Sequence, residues 1–258
     1  MSHEHINPNR FTDSAGVPWQ GRAFEANSFA EDDGSANPSL IQAIKDFHQS
    51  GDPAQVIAEF AQSRLLIPLV ANLGESEIGA NGHRVDKSAE LSIVTVQTPD
   101  SATGLPVFSS VQSMAAWNPE ARPVPADAVR VALAAASEGN TRVILDPTSE
   151  TEFVLRRPAI AALAQGFNWK APHLNRELLE AIAQQAARVE RVTAIDFYTE
   201  DPTSRLLGAE LVLRLTIQTG LSQQQLDSTI EAVAENIAEI SGLNDQVDQL
   251  KIAVRSAS

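Results

Sequence analysis

The sequence contains no cysteine among its 258 residues. This absence excludes disulfides, thiolate nucleophiles, iron–sulfur clusters and cysteine-based zinc sites. Basic residues are also scarce, since 19 Lys and Arg stand against 33 Asp and Glu, which gives a formal net charge of −14. Because no basic stripe is present to neutralise phosphates or an anionic bilayer, we expect neither nucleic acid nor a membrane as a partner.

Long apolar runs and targeting signals are missing as well. No apolar run approaches the roughly 18 residues that a membrane helix requires. The first residues, Met1–Ile6, lack the basic stretch and following apolar stretch of a signal peptide. These observations predict a cytoplasmic protein.

The common motifs of nucleotide binding and serine hydrolysis do not occur. The sequence has no GxxxxGK[ST] loop, no GxGxxG after a strand, and neither a GxSxG nor an SxxK motif. His3 and His5 stand two residues apart, but a metal site needs three or four fixed ligands. We therefore expect no cofactor and no physiological metal, and the pattern favours a non-enzyme.

Composition divides the chain into three parts. Residues 1–36 mix Asn, Pro, Ser, Gly and acidic residues without periodicity, which indicates a tail or arm. Residues 37–171 alternate helical and strand patterns, and a coil over Gly166–Pro172 separates them from residues 172–258. The alternation predicts the α/β class, with an N-terminal mixed-sheet α/β domain.

Two details of the N-terminal domain are specific enough to test. Leu65–Val70 reads as a buried strand, and Pro68 within it predicts an edge strand or a bulge. Further along, an alanine-rich helix runs to Ser137, and its spacing predicts Val129, Leu133 and Ala136 on the inward face. A strand is also predicted over residues 91–97, and a proline-rich segment over residues 119–125 precedes the alanine-rich helix.

The C-terminal residues, 172–258, read as helix, strand, strand, helix, strand. This order predicts a smaller ferredoxin-like open α/β sandwich, with one sheet covered on one face by two helices. The edges of such a sheet expose unpaired backbone groups, so strand addition or face packing between two copies is plausible here.

The segment Gly104–Pro119 predicts a short strand that runs straight into a helix, with two serines at the junction. The hydroxyls of Ser109 and Ser110 and the first amides of the helix can face one point, where a helix start favours an anion. The alternative is that one serine simply caps the helix, and that Trp117 is a core residue rather than a binding platform. Phe108, Ser109, Ser110 and Trp117 are therefore the candidate ligand or interaction residues.

These motifs resemble a known family. The strands Leu65–Val70 and Leu91–Gln97, the segment Leu105–Ser110 followed by Trp117, and the strand Val143–Pro147 closing on Asp-Pro resemble the N-terminal domain of the SseB-like proteins, named for enhanced serine sensitivity. The resemblance implies no established catalytic residue or cofactor, and a role inferred from a serine-sensitivity phenotype.

The remaining parts of the chain resemble the same family more loosely. The Val17–Arg22 segment looks like that of actinobacterial members, and residues 172–258 are similar in layout to the family's separate C-terminal domain.

Three functions are compatible with this sequence. The first is a non-enzymatic, regulatory or protein-interaction role with self-association. The second is a sensor that binds a small molecule or anion at Ser109 and Ser110. The third is an unrecognised hydrolase, which would need a pocket that brings a carboxylate such as Asp146 to a histidine.

Overall fold

The computed structural model describes residue 29 and residues 32–72 and 90–257. Most of the predicted tail, nearly all of the loop between residues 72 and 90, and both tail histidines lie outside the described residues. The chain divides into two compact units, Met1–Asp33 and Gly34–Ser258. All helices and strands described below belong to the second unit.

This unit alternates helices with strands, which confirms the α/β class. The helices are α1 Pro38–Ser50, α2 Ala54–Gln62, α3 Val111–Trp117, α4 Ala128–Ser137, α5 Arg157–Gln165, α6 Arg176–Ala186, α7 Gln223–Ala238 and α8 Leu243–Gln246. The strands are β1 Leu65–Asn72, β2 Glu90–Ile93, β3 Val96–Gln97, β4 Thr103–Val107, β5 Arg122–Ala126, β6 Arg142–Leu145, β7 Phe153–Arg156, β8 Val192–Tyr198, β9 Leu211–Ile217 and β10 Leu250–Ser256.

The N-terminal half contains two small sheets. One is antiparallel, with strand order β2-β1-β5, and the other is mixed, with order β3-β4-β6-β7. In the mixed sheet β4 and β6 run parallel, while β3 and β7 are antiparallel to their neighbours. A bridge between Leu66 and Phe108 joins the two sheets through reciprocal backbone hydrogen bonds of 2.9 Å. Helices α1, α2, α4 and α5 complete the core around them.

The expectation that Pro68 marks an edge strand or a bulge is wrong. Strand β1 lies in the middle of its sheet, and Pro68 pairs with Pro123 of β5 in regular register. The proline is tolerated because β2 pairs with β1 only from Leu69 onward. Pro68 therefore pairs with a strand on one side only. Its missing amide hydrogen leaves no gap in the hydrogen-bond ladder between β1 and β2.

Two other expectations for the N-terminal half change. The strand expected over residues 91–97 is two strands, β2 and β3, which belong to different sheets. The proline-rich segment, to which the sequence analysis assigned no element, contributes β5, whose exposed Pro123 lies on an edge strand, where proline is permitted.

Helix α4 is rotated relative to the sequence expectation. Its buried residues are Ala128, Val131, Ala132 and Ala135, whereas Val129 and Leu133 are 45% and 59% exposed. The inward face is mostly alanine because α4 packs against α2, α5 and the strands β1, β4 and β6 at once. Small side chains permit this close approach on several sides, and the larger side chains then remain outside.

The C-terminal half is a three-stranded sheet, β10-β9-β8, with α6 and α7 on one face. Strand β9 is central, antiparallel to β8 and parallel to β10. Its inward residues Leu211, Leu213, Leu215 and Ile217 are buried with Ile182, Val233 and Ile237 of the two helices. The predicted helix–strand–strand–helix–strand order is present, with the one-turn helix α8 inserted before β10.

The longest helix among the described residues, α7, has 16 residues. A membrane-spanning helix needs about 20 predominantly apolar residues, so none of the described helices could cross a bilayer.

Candidate functional site

The serine junction lies where two parallel strands end. Ser109 follows β4 and Asp146 follows β6, and the parallel pairing places both at the same edge of the mixed sheet. The Ser109 amide donates to Asp146 Oδ1 at 2.8 Å, and the Ser109 hydroxyl donates to Oδ2 at 2.6 Å. The two segments that carry the family resemblance are therefore joined by one carboxylate.

Asp146 is built into the fold by several contacts. Its side chain also accepts a hydrogen bond from the Thr151 hydroxyl at 2.9 Å, and the residue is 1% exposed. Its φ of 45° lies in the left-handed region, which Asp and Asn tolerate better than most residues. The Asp146 carboxylate therefore accepts hydrogen bonds from three donors, and the backbone of the same residue forms a tight turn.

Ser110 is the N-cap of α3. Its hydroxyl accepts a hydrogen bond from the Ser113 amide at 3.0 Å, and the Ser113 hydroxyl contacts the Ser110 amide at 3.2 Å. The reciprocal pair forms a capping box. The structure therefore shows Ser110 as the cap of helix α3.

Residues before α1 lie over the same junction. The Gly34 carbonyl accepts a hydrogen bond from the Val111 amide at 2.9 Å. Arg64 donates from one guanidinium nitrogen to the Ser109 carbonyl at 3.0 Å and from the other to the Ser35 carbonyl at 2.5 Å. Gly34 has a φ of +78°, and a Cβ there would come within 2.7 Å of the Val111 side chain. Only glycine fits this close crossing.

The two aromatic candidates belong to a small core beside the junction. Phe108 is fully buried with Leu66 and Met114, and Trp117 packs half-buried against them. The Phe108 and Trp117 rings are 5.3 Å apart, a normal separation for packed aromatic rings. Neither ring forms an open platform.

The chemistry open to this junction is limited. The amides of Ser109, Ser110, Val111 and Ser113 all have acceptors within the fold. An anion would have to displace them, and the carboxylate of Asp146 already faces Ser109. Because Ser109 is 3% exposed and donates to that carboxylate, its hydroxyl is not open to a substrate either.

A variant pair can measure what this carboxylate contributes. We expect Asp146→Ala to lower the free energy of unfolding by about 3 kcal/mol or more, since it leaves three buried donors unpaired and strains a left-handed residue. Asp146→Asn keeps an acceptor and tolerates the backbone, so its loss should be about 1 kcal/mol. Urea unfolding of both variants measures the difference. Equal losses in the two would contradict this role for Asp146.

A second polar cluster, which the sequence did not suggest, joins the two halves of the unit. Arg142 of β6 ion-pairs with Asp100 at 2.8 Å and with Asp248, just before β10, at 2.7 Å. Arg156 of β7 pairs with Asp201, in the β8–β9 connection, at 2.7 Å. The side chains of these five residues are at most 10% exposed. We call Asp100, Arg142, Arg156, Asp201, Glu210 and Asp248 the buried charge cluster.

Glu210 is the unusual member of this cluster. Burial raises its pKa to about 7, although the Asp248 amide donates to it at 2.7 Å and nearby arginines favour its charged form. The removal of the carboxyl group from water is the largest cause of this rise in pKa, and the charges of Arg156 and Arg142 offset it only in part.

Asp201 organises the loop that carries it. Its carboxylate accepts hydrogen bonds from the backbone amides of Arg205, Leu206 and Leu207. The loop then places Leu206 against Ile144 and Val154 of the N-terminal half. Sequence reasoning found only a hairpin connection here, since an Asp-Pro turn does not reveal that its carboxylate faces an arginine 45 residues away.

The cavity beside Arg156 and Glu210 is too small for a metabolite. A cavity of about 30 Å³ is lined by Arg156, Trp169, His173, Asp201 and Glu210, among others. Small-molecule sites occupy roughly 300–1,000 Å³, so this cavity has room for water only. Among the described residues, no group of three or more His, Asp or Glu side chains is arranged to hold a metal ion.

The mixed sheet, the serine junction and the helices around them form an α/β arrangement in which Ser109 and Asp146 bond to each other. Residues 40–162 match the model of the SseB protein N-terminal domain. This part of the chain is therefore an SseB-like N-terminal domain. No curated protein and no solved structure matches the chain. The actinobacterial type and a family C-terminal domain over residues 172–258 stay predictions.

Proposed function

We propose that this protein acts through protein–protein contact, as a non-enzymatic cytoplasmic regulator that associates with a second copy of itself through its C-terminal half. The groups that catalysis or anion binding would use at the serine junction are already engaged by the fold. Ser109 is held by Asp146, and Ser110 caps α3. The family supports the same reading, because it brings no catalytic residue with it.

The edge of the C-terminal sheet carries this proposal. Strand β10 has β9 as its single strand neighbour in the described sheet. Beside it lies a groove of about 610 Å³ between β10, α7 and α8. Its apolar lining residues are Ala234, Ile237, Ala238, Ile240, Leu243, Val247, Leu250 and Ile252, and its polar ones are Asn244, Asp245 and Asp248. An open strand edge beside a groove with apolar side chains is the arrangement that strand addition uses.

Self-association is tested on the full chain by sedimentation velocity and light scattering. We expect a dimer at high micromolar concentration that dissociates on dilution. Apolar contact should make the dimer resistant to salt, because screening weakens only the charged pairs. A strict monomer throughout the concentration range would contradict the proposal.

A further inference from the structure

We propose that two copies of the chain pair through their β10 strands, antiparallel and in a register centred on Ile252, so that the two C-terminal sheets become one six-stranded sheet. This inference rests on the proposed self-association and specifies its geometry. Antiparallel pairing of a strand with its own copy has two-fold symmetry, so the contact closes on itself and stops at a dimer.

The hydrogen bonds of β10 show which backbone groups face outward. The Gln249 carbonyl accepts from the Leu211 amide, and the Ala257 amide donates to the Ile217 carbonyl. Odd-numbered residues along β10 therefore point their backbone groups towards β9. Because these groups alternate along a strand, those of Leu250, Ile252 and Val254 point to the open side.

The N-terminal edge strands are each blunted against pairing. Strand β5 carries Pro123 and Pro125, which cannot donate to a partner. The Val154 amide of β7 donates to the Ser204 carbonyl at 2.8 Å, so a loop covers that edge. Strands β2 and β3 have only four and two residues.

The opposite edge of the C-terminal sheet is also blunted. Strand β8 has a register shift between Val192 and Ala194, and the Phe197 amide is bonded to the Asp196 carboxylate at 3.0 Å. Strand β10, by contrast, pairs with β9 over seven consecutive residues without a shift. Among the described strands it is the long, regular edge.

The side chains of β10 indicate that its inner face is incompletely covered. Leu250, Ile252 and Val254 face α7 but remain half-buried, whereas their β9 neighbours Leu211, Leu213 and Leu215 are fully buried. A second β10 placed against the edge would extend the sheet under the groove. The apolar residues of both copies would then cover one another.

The basic residues of β10 do not guard the edge. Lys251 Nζ lies 2.8 Å from Glu200 Oε1, and Arg255 Nε lies 2.8 Å from Thr216 Oγ1 on β9. Both side chains therefore extend back across the open face of their own sheet. Charged edge residues prevent association when they project over the edge, which these do not.

Charge and polarity select the register. Directly opposed residues must face the same side of the sheet, so the two-fold axis passes through a residue. An axis at Ala253 would place Lys251 opposite Arg255 of the second copy, which is unfavourable. An axis at Val254 would place Ile252 opposite Ser256. An axis at Ile252 pairs Leu250 with Val254 and Lys251 with Ala253, and avoids both conflicts.

The absence of cysteine permits a direct test by disulfide trapping. The Lys251→Cys and Ala253→Cys proteins are mixed as full chains and oxidised with a mild oxidant. In the proposed register these positions form a non-hydrogen-bonded pair with Cα atoms about 4.5 Å apart, within disulfide range. We expect a covalent heterodimer on non-reducing gels. Each variant alone should cross-link much less, because diagonal positions are about 7–8 Å apart.

Two further mixtures distinguish the alternatives. Cross-linking of Lys251→Cys with Arg255→Cys, or of Ala253→Cys with Arg255→Cys, in preference to the first mixture would overturn the register. A dimer by sedimentation that no mixture traps would overturn pairing at β10 but leave the proposed self-association standing. A strict monomer would overturn both.

Proline provides a second readout that does not depend on cysteine. Ile252→Pro removes an amide that points away from β9, so the ladder within the chain stays intact. Ile252→Ala is the matched control, since it loses the same side chain but keeps the amide. We expect the proline variant to weaken dimerisation at least tenfold more than the alanine variant, with similar circular dichroism. Equal dimerisation of the two would count against strand pairing.

Discussion

Replacing Arg142 with methionine is expected to lower the free energy of unfolding by about 3–5 kcal/mol, the cost of leaving buried charges without their partner. Arg142 donates to Asp100 Oδ2 from two nitrogens, at 3.1 and 2.8 Å, and contacts Asp248 as well. Methionine fills a similar volume but leaves two carboxylates facing each other in a poorly hydrated site. Urea or guanidinium unfolding of the full chain measures the loss.

The controls separate charge from shape. Arg142→Lys keeps the charge but not the planar fork, so we expect an intermediate loss. The triple variant Arg142→Met, Asp100→Asn, Asp248→Asn removes the charges together and should recover most of the stability, because a buried ion pair contributes little over neutral groups of the same size. A loss below about 1 kcal/mol for Arg142→Met would show that solvent reaches the cluster and screens it.

The local elements of this fold could be predicted because their signals are local. Asn37 caps α1 through a hydrogen bond to the Ser39 amide, and Gly51 ends the helix in the left-handed conformation, as such residues usually do. Ser222 and Gln225 likewise form the capping box that opens α7. Each of these contacts involves residues at most three positions apart.

The wrong expectations for α4 and Pro68 both concern how neighbouring helices and strands pack. The spacing of Val129 and Leu133 indicates that both residues lie on one face of α4, as they do. It does not indicate that this face is the exposed one and that the small alanines opposite pack on the crowded side. Pro68 signals a missing amide, but not that β2 stops one residue short of it. Both outcomes depend on which element packs beside the strand or helix. The periodicity of a sequence holds no information about that neighbour.

The candidate site likewise has one part that the sequence indicates and one part that it does not. The serine junction stood out because Ser109 and Ser110 lie at a strand–helix boundary, although their partner Asp146 is 37 residues away. The buried charge cluster gave no such signal. Arg142 and Asp248 are 106 residues apart, and each alone reads as an ordinary charged residue. Their burial follows from the packing of elements that lie far apart in the sequence.

The cluster also predicts how stability depends on pH. The pKa of Glu210 is raised from 4.5 to about 7 in the folded protein. A carboxyl with a raised folded pKa favours the folded state fully below pH 4.5, and this contribution is lost as the pH rises through 7. The difference of about 2.5 pKa units corresponds to about 3 kcal/mol. At alkaline pH the ionised Glu210 therefore lowers the stability of the folded protein.

Glu210→Gln isolates this contribution because glutamine resembles the protonated form at every pH. We expect the variant and the parent to have similar stabilities near pH 4.5, and the variant to be more stable by about 3 kcal/mol at pH 8. Subtracting the two unfolding curves removes the opposite effect of His173, whose pKa is lowered by burial. A difference that stays constant with pH would show that Glu210 ionises normally in the folded chain. A difference that follows the expected curve would show that Glu210 ionises in the folded chain at the cost of charging a buried carboxyl group.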